Sequence, residues 1–234
     1  MTRNTMKNLK ELENRINITF KNKYLLENVF IHRSYLNEHK HFYLPSNEKM
    51  EFLGDSVLSL ITSVYLFKKY PHLAEGDYTE IKSSIVRTES LAEAALSLDL
   101  SEYLYLSRGQ ARELGKKNKN ILADCFEALI AAIFLDDSFE KAYNFVLRHL
   151  FTDKLAKIIE NKLYLSPKSK LQEITQARFK VTPNYKVLEE KGPEHNRIFK
   201  VEVVIKGKIY ETGIGKSKKE AEEEAARRTL VTLI

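Results

Sequence analysis

The segment Ile121-Leu-Ala-Asp-Cys-Phe-Glu-Ala-Leu-Ile-Ala-Ala-Ile-Phe-Leu135 is the most apolar stretch of this 234-residue chain. Thirteen of its fifteen residues are apolar, and a helix that is apolar on nearly every side is normally buried in a core. The two exceptions, Asp124 and Glu127, lie three positions apart and therefore on one helix face. Burying unpaired carboxylates costs several kcal/mol each, so the two acids require a positive partner.

A second acidic stripe lies in the segment Asn47-Glu-Lys-Met-Glu-Phe-Leu-Gly-Asp-Ser-Val-Leu58. Its acids, at positions i, i+3 and i+7, fall within roughly 60° of one another on a helix, and they are Glu48, Glu51 and Asp55. The first two could equally well serve to complement the helix dipole. Glycine within a helix costs about 1 kcal/mol of stability relative to alanine. Gly54 is therefore best explained if another backbone approaches the helix closely at this position.

The two helices offer little positive charge of their own. Lys49 is the only base within residues 47–66, and residues 121–135 contain none. A lysine or arginine from elsewhere in the chain remains an alternative, but bound cations explain the pattern better. A set of oxygen ligands without clustered His or Cys selects Mg²⁺, or Mn²⁺ as a substitute, over zinc. Carboxylate-held Mg²⁺ commonly supports phosphodiester hydrolysis.

Composition and charge are those of a soluble, folded protein, with 43% hydrophobic and 30% charged residues. The first twenty residues lack the apolar core of a secretory signal, and no apolar stretch is long enough to span a bilayer, so we expect a cytoplasmic protein without a membrane partner. Residues 1–160 contain 22 basic and 22 acidic residues, whereas residues 161–234 contain 16 and 10. The net charge of +6 therefore belongs to the C-terminal third and suggests a polyanionic partner.

The hydrophobic periodicity predicts two domains. Residues 1–160 form an all-α domain, with helices at 7–17, 23–31, 47–69, 78–98, 119–135 and 138–160 and with breaks at Pro71, at Glu75-Gly76-Asp77 and at residues 109–120. A linker of residues 161–167 precedes a small α+β domain of residues 168–234. Its predicted order is αβββα, with helix 169–179, strands 184–191, 197–206 and 208–215, and helix 217–233.

The last predicted helix begins with a cluster of lysines. Lys216, Lys218 and Lys219 lie at its N-terminus, where positive charge opposes the helix dipole. The lysines therefore destabilise the start of the helix. Phosphates that bind there, to backbone N–H groups and ammonium groups together, would explain why the lysines are present. A solvated charged helix end is an equally good explanation of the cluster taken alone.

These motifs resemble a known family. The segment Asn47–Leu58 resembles the signature of ribonuclease III, and residues 121–130 are similar to that family's second acidic motif. His32-Arg33-Ser34-Tyr35 and Glu75-Gly76-Asp77 also resemble family segments. The likeness covers essentially the whole chain in the bacterial arrangement. Three departures, which put in doubt only local packing and the details of the RNA-contacting loop, are Lys82, Gln110 and Ala131.

The resemblance assigns roles to the acidic residues. It implies that the metal ligands are Glu51, Asp55, Asp124 and Glu127, with Asp55 and Glu127 as catalytic residues. It further implies a homodimer, with the region around Glu51 to Asp55 at the two-fold interface. Phe52 would be an interface residue, Gly54 would be explained by close packing there, and Glu48 would support RNA contact or the subunit interface rather than bind metal. We expect His32 to be a structural hydrogen-bonding residue rather than a general base. Cys125, the only cysteine, excludes an internal disulfide and is expected to serve packing.

The C-terminal segments resemble the three contact regions of a double-stranded RNA-binding domain. By that likeness the first helix reaches ribose hydroxyls through Gln172, Glu173 and Gln176. His195 enters a second minor groove, and the phosphates between the two grooves contact Lys216, Lys218 and Lys219. Recognition of A-form shape implies weak sequence specificity.

Together these likenesses imply a Mg²⁺-dependent endonuclease that cuts both strands of double-stranded RNA and needs no nucleotide cofactor. The implied products carry 5′-phosphates, 3′-hydroxyls and short 3′ overhangs, and the implied substrates are ribosomal RNA precursors and other structured RNAs. The alternative is a dimeric RNA-binding protein without activity, which predicts the loss of one or more of the four acids. An enzyme acting on small phosphates would leave the C-terminal domain without a purpose.

Overall fold

The computed structural model describes residues 8–112, 117–151, 153–193 and 197–233. The chain divides into two units, Met1–Ile158 and Ile159–Ile234, which are described separately.

The first unit is helical. Besides its α-helices, it contains a 3₁₀ helix at Leu100–Tyr103. The α-helices are α1 (Leu9–Ile16), α2 (Lys23–Asn28), α3 (Arg33–Glu38), α4 (Glu48–Lys69), α5 (Glu75–Ile85), α6 (Thr88–Ser97), α7 (Arg108–Arg112), α8 (Lys119–Asp136) and α9 (Phe139–His149), followed by α10 (Asp153–Glu160), which crosses the boundary between the units.

Helices α4 and α8 form the centre of this unit. The apolar residues of α8 are buried from Ile121 to Ile133, as its composition predicts. The two helix backbones meet at Gly54, where an added Cβ would lie 1.9 Å from the carbonyl oxygen of Glu127. The close approach expected at this glycine is therefore found, and it brings the two acidic stripes together.

Among the described helices, α4 is the one that is long and apolar enough to cross a membrane, judged by length and composition only. Its buried residues face the rest of the unit and are Met50, Gly54, Val57, Leu58, Ile61, Thr62 and Leu66. Because this face packs on α8 and its neighbours, α4 is a core helix of the folded domain.

The structure corrects several predicted boundaries. The predicted helix 78–98 is interrupted at Arg87, whose extended backbone starts a new helix. The predicted helix 138–160 ends at His149 and resumes at Asp153. Glu75-Gly76-Asp77 begins α5 instead of breaking the pattern, since the Asp77 carboxylate accepts a hydrogen bond from the Ala74 N–H at 3.2 Å. Short breaks hardly disturb apolar periodicity, which explains these errors.

The second unit has the predicted αβββα order. It consists of α11 (Pro167–Phe179), β1 (Asn184–Lys191), β2 (Ile198–Ile205), β3 (Lys208–Gly215) and α12 (Lys218–Leu233). The strands form an antiparallel sheet in the order β1-β2-β3. The all-α domain followed by a small α+β domain is thus confirmed.

Two glycines let β3 lie directly on α12. An added Cβ at Gly213 would lie 2.2 Å from the Ala221 carbonyl oxygen, and one at Gly215 would lie 2.5 Å from the Ala221 nitrogen. Ala221 and Ala225 are fully buried on the facing side of the helix. Small residues on both elements therefore fix the start of α12 against the end of β3.

Candidate metal centre and nucleic-acid interface

Three of the predicted metal ligands converge in the first unit. Glu51 lies in the first turn of α4, and Asp124 and Glu127 lie near the start of α8. One carboxylate oxygen from each lies within 4.8 Å of the other two, and all three side chains are half-buried. Oxygens bound to one Mg²⁺ at about 2.1 Å are at most about 4.2 Å apart, so small side-chain rotations would close this set around a cation.

Asp55 lies at the edge of this group. It is one helical turn beyond Glu51, it is exposed, and it is not among the three converging residues. Its charge nevertheless contributes to raising the pKa of Glu127. The structure therefore brings three of the four predicted ligands together and leaves the fourth beside them.

Within the described part of the chain, the negative charges of these carboxylates are only partly compensated. Burial, followed by the charges of Asp55, Asp124 and Glu51, raises the pKa of Glu127 from 4.5 to about 8. Burial and then the charge of Asp124 raise the pKa of Glu51, and burial raises the pKa of Asp124. Such mutual repulsion in a partly desolvated site is relieved by a bound cation. The residues fit a divalent metal.

Among the described residues, Arg33 is the positive charge that acts on the cluster. It partly lowers the pKa of Glu51 and Asp124. Its guanidinium lies 3.6 Å from a carboxylate oxygen of Glu48, and both side chains are exposed. Within the described ranges, no basic side chain lies at ion-pair distance from the four predicted ligands. The alternative of a lysine or arginine partner for these acids therefore gains no support.

The three residues predicted to support the site or line a subunit interface have different surroundings. Glu48 pairs with Arg33 and accepts a hydrogen bond from the Ser46 hydroxyl at 2.7 Å. Gly54 is buried against α8 of the same chain. The need for a residue without a side chain at this position is therefore explained without a second subunit. Phe52 is 78% exposed, which leaves a large apolar side chain in contact with solvent.

His32 and Cys125 have structural surroundings. The His32 ring nitrogen Nδ1 accepts a hydrogen bond from the Ser34 N–H at 3.2 Å and lies 2.7 Å from the Ser34 hydroxyl. It thereby caps α3, as expected of a structural hydrogen-bonding residue. Cys125 is fully buried in α8.

Arg33 is the neighbour of the acidic cluster that sequence reasoning missed, because its position in the His32–Tyr35 motif gives no sign of its proximity to α4.

The candidate RNA contacts on α11 face solvent. Gln172, Glu173 and Gln176 are all exposed on one side of the helix. Glu173 is already engaged by Lys162, whose ammonium lies 2.9 Å from its carboxylate. His195 lies outside the described residues.

The start of α12 is more fully capped than the sequence suggests. The Ser217 hydroxyl accepts a hydrogen bond from the Glu220 N–H at 3.1 Å, and the Glu220 carboxylate accepts one from the Lys216 N–H at 2.7 Å. The chain's own side chains therefore occupy part of the expected phosphate cradle. The ammonium groups of Lys216, Lys218 and Lys219 remain on the exposed surface.

Comparison with known proteins identifies the family. A family model described as Ribonuclease-III-like matches residues 22–154, and one described as a double-stranded RNA binding motif matches residues 167–233. The chain belongs to the ribonuclease III family. It is 43% identical to Ribonuclease 3 of Chloroflexus aurantiacus over 95% of this chain and 90% of that protein. Ribonuclease 3 of Geobacillus kaustophilus is 42% identical with the same coverage.

Solved structures agree with this assignment. The nuclease domain of ribonuclease III from Campylobacter jejuni is 37% identical, with a TM-score of 0.57, and the match covers 62% of this chain and 95% of that domain. This ribonuclease III-family chain is accordingly a double-strand-specific endoribonuclease. The family is metal-dependent, and the acidic cluster is the part of the described structure suited to a metal.

Proposed function

We propose that this chain hydrolyses phosphodiester bonds in both strands of double-stranded RNA with Mg²⁺, and that Mn²⁺ substitutes. The convergence of Glu51, Asp124 and Glu127 within 4.8 Å is the observation that carries the proposal. An all-oxygen ligand set of this kind favours Mg²⁺ or Mn²⁺ over softer metals. The products would be 5′-phosphate and 3′-hydroxyl ends.

In this proposal the four acids divide the work. Glu51, Asp124 and Glu127 hold the cation, and Asp55 completes the ligand set from the edge of the group. A bound divalent cation supplies activation of water and stabilisation of negative charge on the phosphate. Because burial and the adjacent acids raise the pKa of Glu127 to about 8, its carboxyl oxygen must lose a proton before it can act as a ligand. Asp55 and Glu127 are the proposed catalytic residues.

The second unit would supply recognition of the RNA duplex. Gln172, Glu173 and Gln176 present polar groups to ribose hydroxyls, His195 enters another minor groove, and the lysines contact phosphates. Since Glu220 and Ser217 already cap α12, the phosphate contacts rest mainly on the three ammonium groups of Lys216, Lys218 and Lys219. We assign residues 1–160 to the nuclease domain, 161–167 to the linker and 168–234 to the RNA-binding domain.

We further propose that the active form is a homodimer. The nuclease domain of Campylobacter jejuni ribonuclease III is described as having a region involved in dimer formation. In this chain the exposed ring of Phe52 provides apolar surface for such an interface, beside the acidic cluster. Two sites related by symmetry would cut opposite strands and leave short 3′ overhangs. The proposed setting is the cytoplasm, with ribosomal RNA precursors and other structured RNAs as substrates.

The test is cleavage of a long, end-labelled RNA duplex with chelator, Mg²⁺ or Mn²⁺. The wild-type protein should cut only with metal and leave 5′-phosphates, and Glu127→Gln should bind the duplex with nearly unchanged affinity but cut at least about a hundredfold more slowly. Glu140→Gln, a change of an acid elsewhere on the same unit, should cut normally. Binding without metal-dependent cleavage by the wild-type protein would overturn the proposal in favour of a non-catalytic RNA-binding protein.

A further inference from the structure

A second site lies elsewhere in the helical unit. A cavity of about 940 Å³ is formed by parts of α1 and α2 together with the segments around residues 19, 43 and 105. Three tyrosines contribute to its lining, and none of the acids of the metal centre does. Its chemistry is therefore separate from that of the acidic cluster.

Tyrosine rings form one wall of the cavity. Tyr24 is 63% exposed and Tyr43 is 55% exposed, and their rings meet edge to face with centroids 6.1 Å apart. The ring of Phe42 packs against the ring of Tyr43, with the centroids 4.7 Å apart. The third tyrosine, Tyr105, lies 6.2 Å from Phe42 by the same measure. Phe42 therefore contacts two of the three tyrosines that line the cavity.

The two acids that line the cavity differ in their partners. Glu13 is buried and receives hydrogen bonds from the Phe20 N–H and the Lys23 ammonium. Glu27 is half-buried and accepts a hydrogen bond from the Tyr43 hydroxyl. In the ranges that the structure covers, no lysine, arginine or histidine lies within ion-pair distance of Glu27. Two lysines, Lys10 and Lys23, also line the cavity, and Lys23 pairs with Glu13. Among the described residues, Glu27 is therefore the acid of the lining that has no ion-pair partner.

The charge of Glu27 reaches both nearby hydroxyls. Burial, then the hydrogen bond to Glu27, raises the pKa of Tyr43. Burial, then the negative charge of Glu27, raises the pKa of Tyr105. Glu27 lines the same cavity as these two phenols.

We propose that this cavity binds an organic cation, an alkylammonium or guanidinium group, held by the Glu27 carboxylate against the rings of Tyr24, Tyr43 and Tyr105. The ring faces attract cations through their quadrupoles, and a charge-assisted hydrogen bond to a carboxylate adds to this attraction. The group comes either from a free polyamine or from a lysine or arginine side chain of another protein.

The experiment titrates the full-length protein with spermidine and, separately, with blocked arginine (N-acetyl-arginine methylamide). Ionic strength is held constant, and excess Mg²⁺ is present to occupy the acidic cluster. Calorimetry measures binding. Tyrosine fluorescence, free of tryptophan background, is compared between the wild type and Tyr24→Leu, because three of the twelve tyrosines line the cavity. Glu27→Gln and Tyr24→Leu are the test variants, and Glu140→Gln is the matched control. Circular dichroism establishes that each variant is folded.

We expect one saturable site in the wild-type protein and in Glu140→Gln. Affinity should fall about tenfold or more in Glu27→Gln and several-fold in Tyr24→Leu, as expected for loss of a charge-assisted contact and of a cation–π contact. Preference for spermidine identifies a free polyamine, and preference for the blocked arginine identifies a protein side chain. Absence of binding by either probe, equal binding by Glu27→Gln, or stronger binding of uridine monophosphate in the same cavity would overturn the proposal.

Discussion

Replacing Glu127 by glutamine should stabilise the metal-free protein at alkaline pH. The pKa of Glu127 is about 8 in the folded state, against 4.5 for an ordinary glutamate. Between pH 4.5 and pH 8 the folded state therefore keeps a proton on Glu127 that the unfolded state has released. Stability of the wild type therefore falls as pH rises through this window. Glutamine resembles the protonated acid, so the variant escapes this loss. The two proteins should be equally stable below pH 4.5 and should diverge progressively up to pH 8.

The size of this effect follows from the pKa. At 1.36 kcal/mol per pKa unit, the change from 4.5 to about 8 gives an upper limit of about 5 kcal/mol. Glu127 is half-buried, and its neighbours share the titration, so screening by water reduces the expected gain to roughly 1–2 kcal/mol. Mg²⁺ should act in the opposite sense. At a hundred times its Kd it would stabilise the wild type by about 2.7 kcal/mol and the variant far less.

The assay is urea unfolding between pH 4 and pH 9, with chelator and with Mg²⁺, and Glu140→Gln is carried as the control. The control should keep the pH dependence and the Mg²⁺ response of the wild type. If Glu127→Gln proves less stable than the wild type at pH 9 in chelator, the carboxylate has a stabilising protein partner. The assignment of Glu127 as a metal ligand would then be wrong.

Three further changes test other parts of the structure. Gly54→Ala should lower the free energy of unfolding in urea by at least about 2 kcal/mol, because the added Cβ would meet the α8 backbone. Gly76→Ala, with open space around it, should not lower it. Equal effects of the two substitutions would contradict the close packing at Gly54. Phe52→Ala should shift the dimer towards monomer in sedimentation, and an unchanged mass would exclude a role at the interface. Salt-dependent binding to duplex RNA should lose about one unit of log–log slope per phosphate contact when alanine replaces Lys216, Lys218 or Lys219, and an unchanged slope would refute those contacts.

The sequence predicted the fold best where the chemistry is repetitive. The apolar run of α8 and the alternating residues of β2 carry a strong signal over many positions, and both elements form as expected. The missed helix ends fall at Arg87 and after His149, where one helix ends and another begins without a glycine or proline, whereas the break predicted at Glu75-Gly76-Asp77 is the start of α5. The local backbone at such points depends on packing between helices, which periodicity does not encode.

The sequence pointed to three acids that the fold brings together, but not to their arrangement. Spacing placed Asp124 and Glu127 on one face of a buried helix, yet it could not show that Asp55 lies outside the tight group or that Arg33 lies beside it. The lysine cluster is similar. A sequence reveals three positive charges but not the Glu220 carboxylate that folds back over the Lys216 N–H. Contacts between side chains of different turns or elements are fixed only by the folded backbone.

Gly54 connects the packing of the domain to the chemistry of the site. Because it has no side chain, the backbone of α4 reaches the backbone of α8 at Glu127 itself. That contact sets the distance between the Glu51 carboxylate and the α8 acids, so the fold pushes like charges together instead of letting them separate. Burial, followed by this repulsion, raises the pKa of Glu127. A larger residue at position 54 would relieve the repulsion and lose the cation site, which is why the same residue should matter to both stability and metal binding.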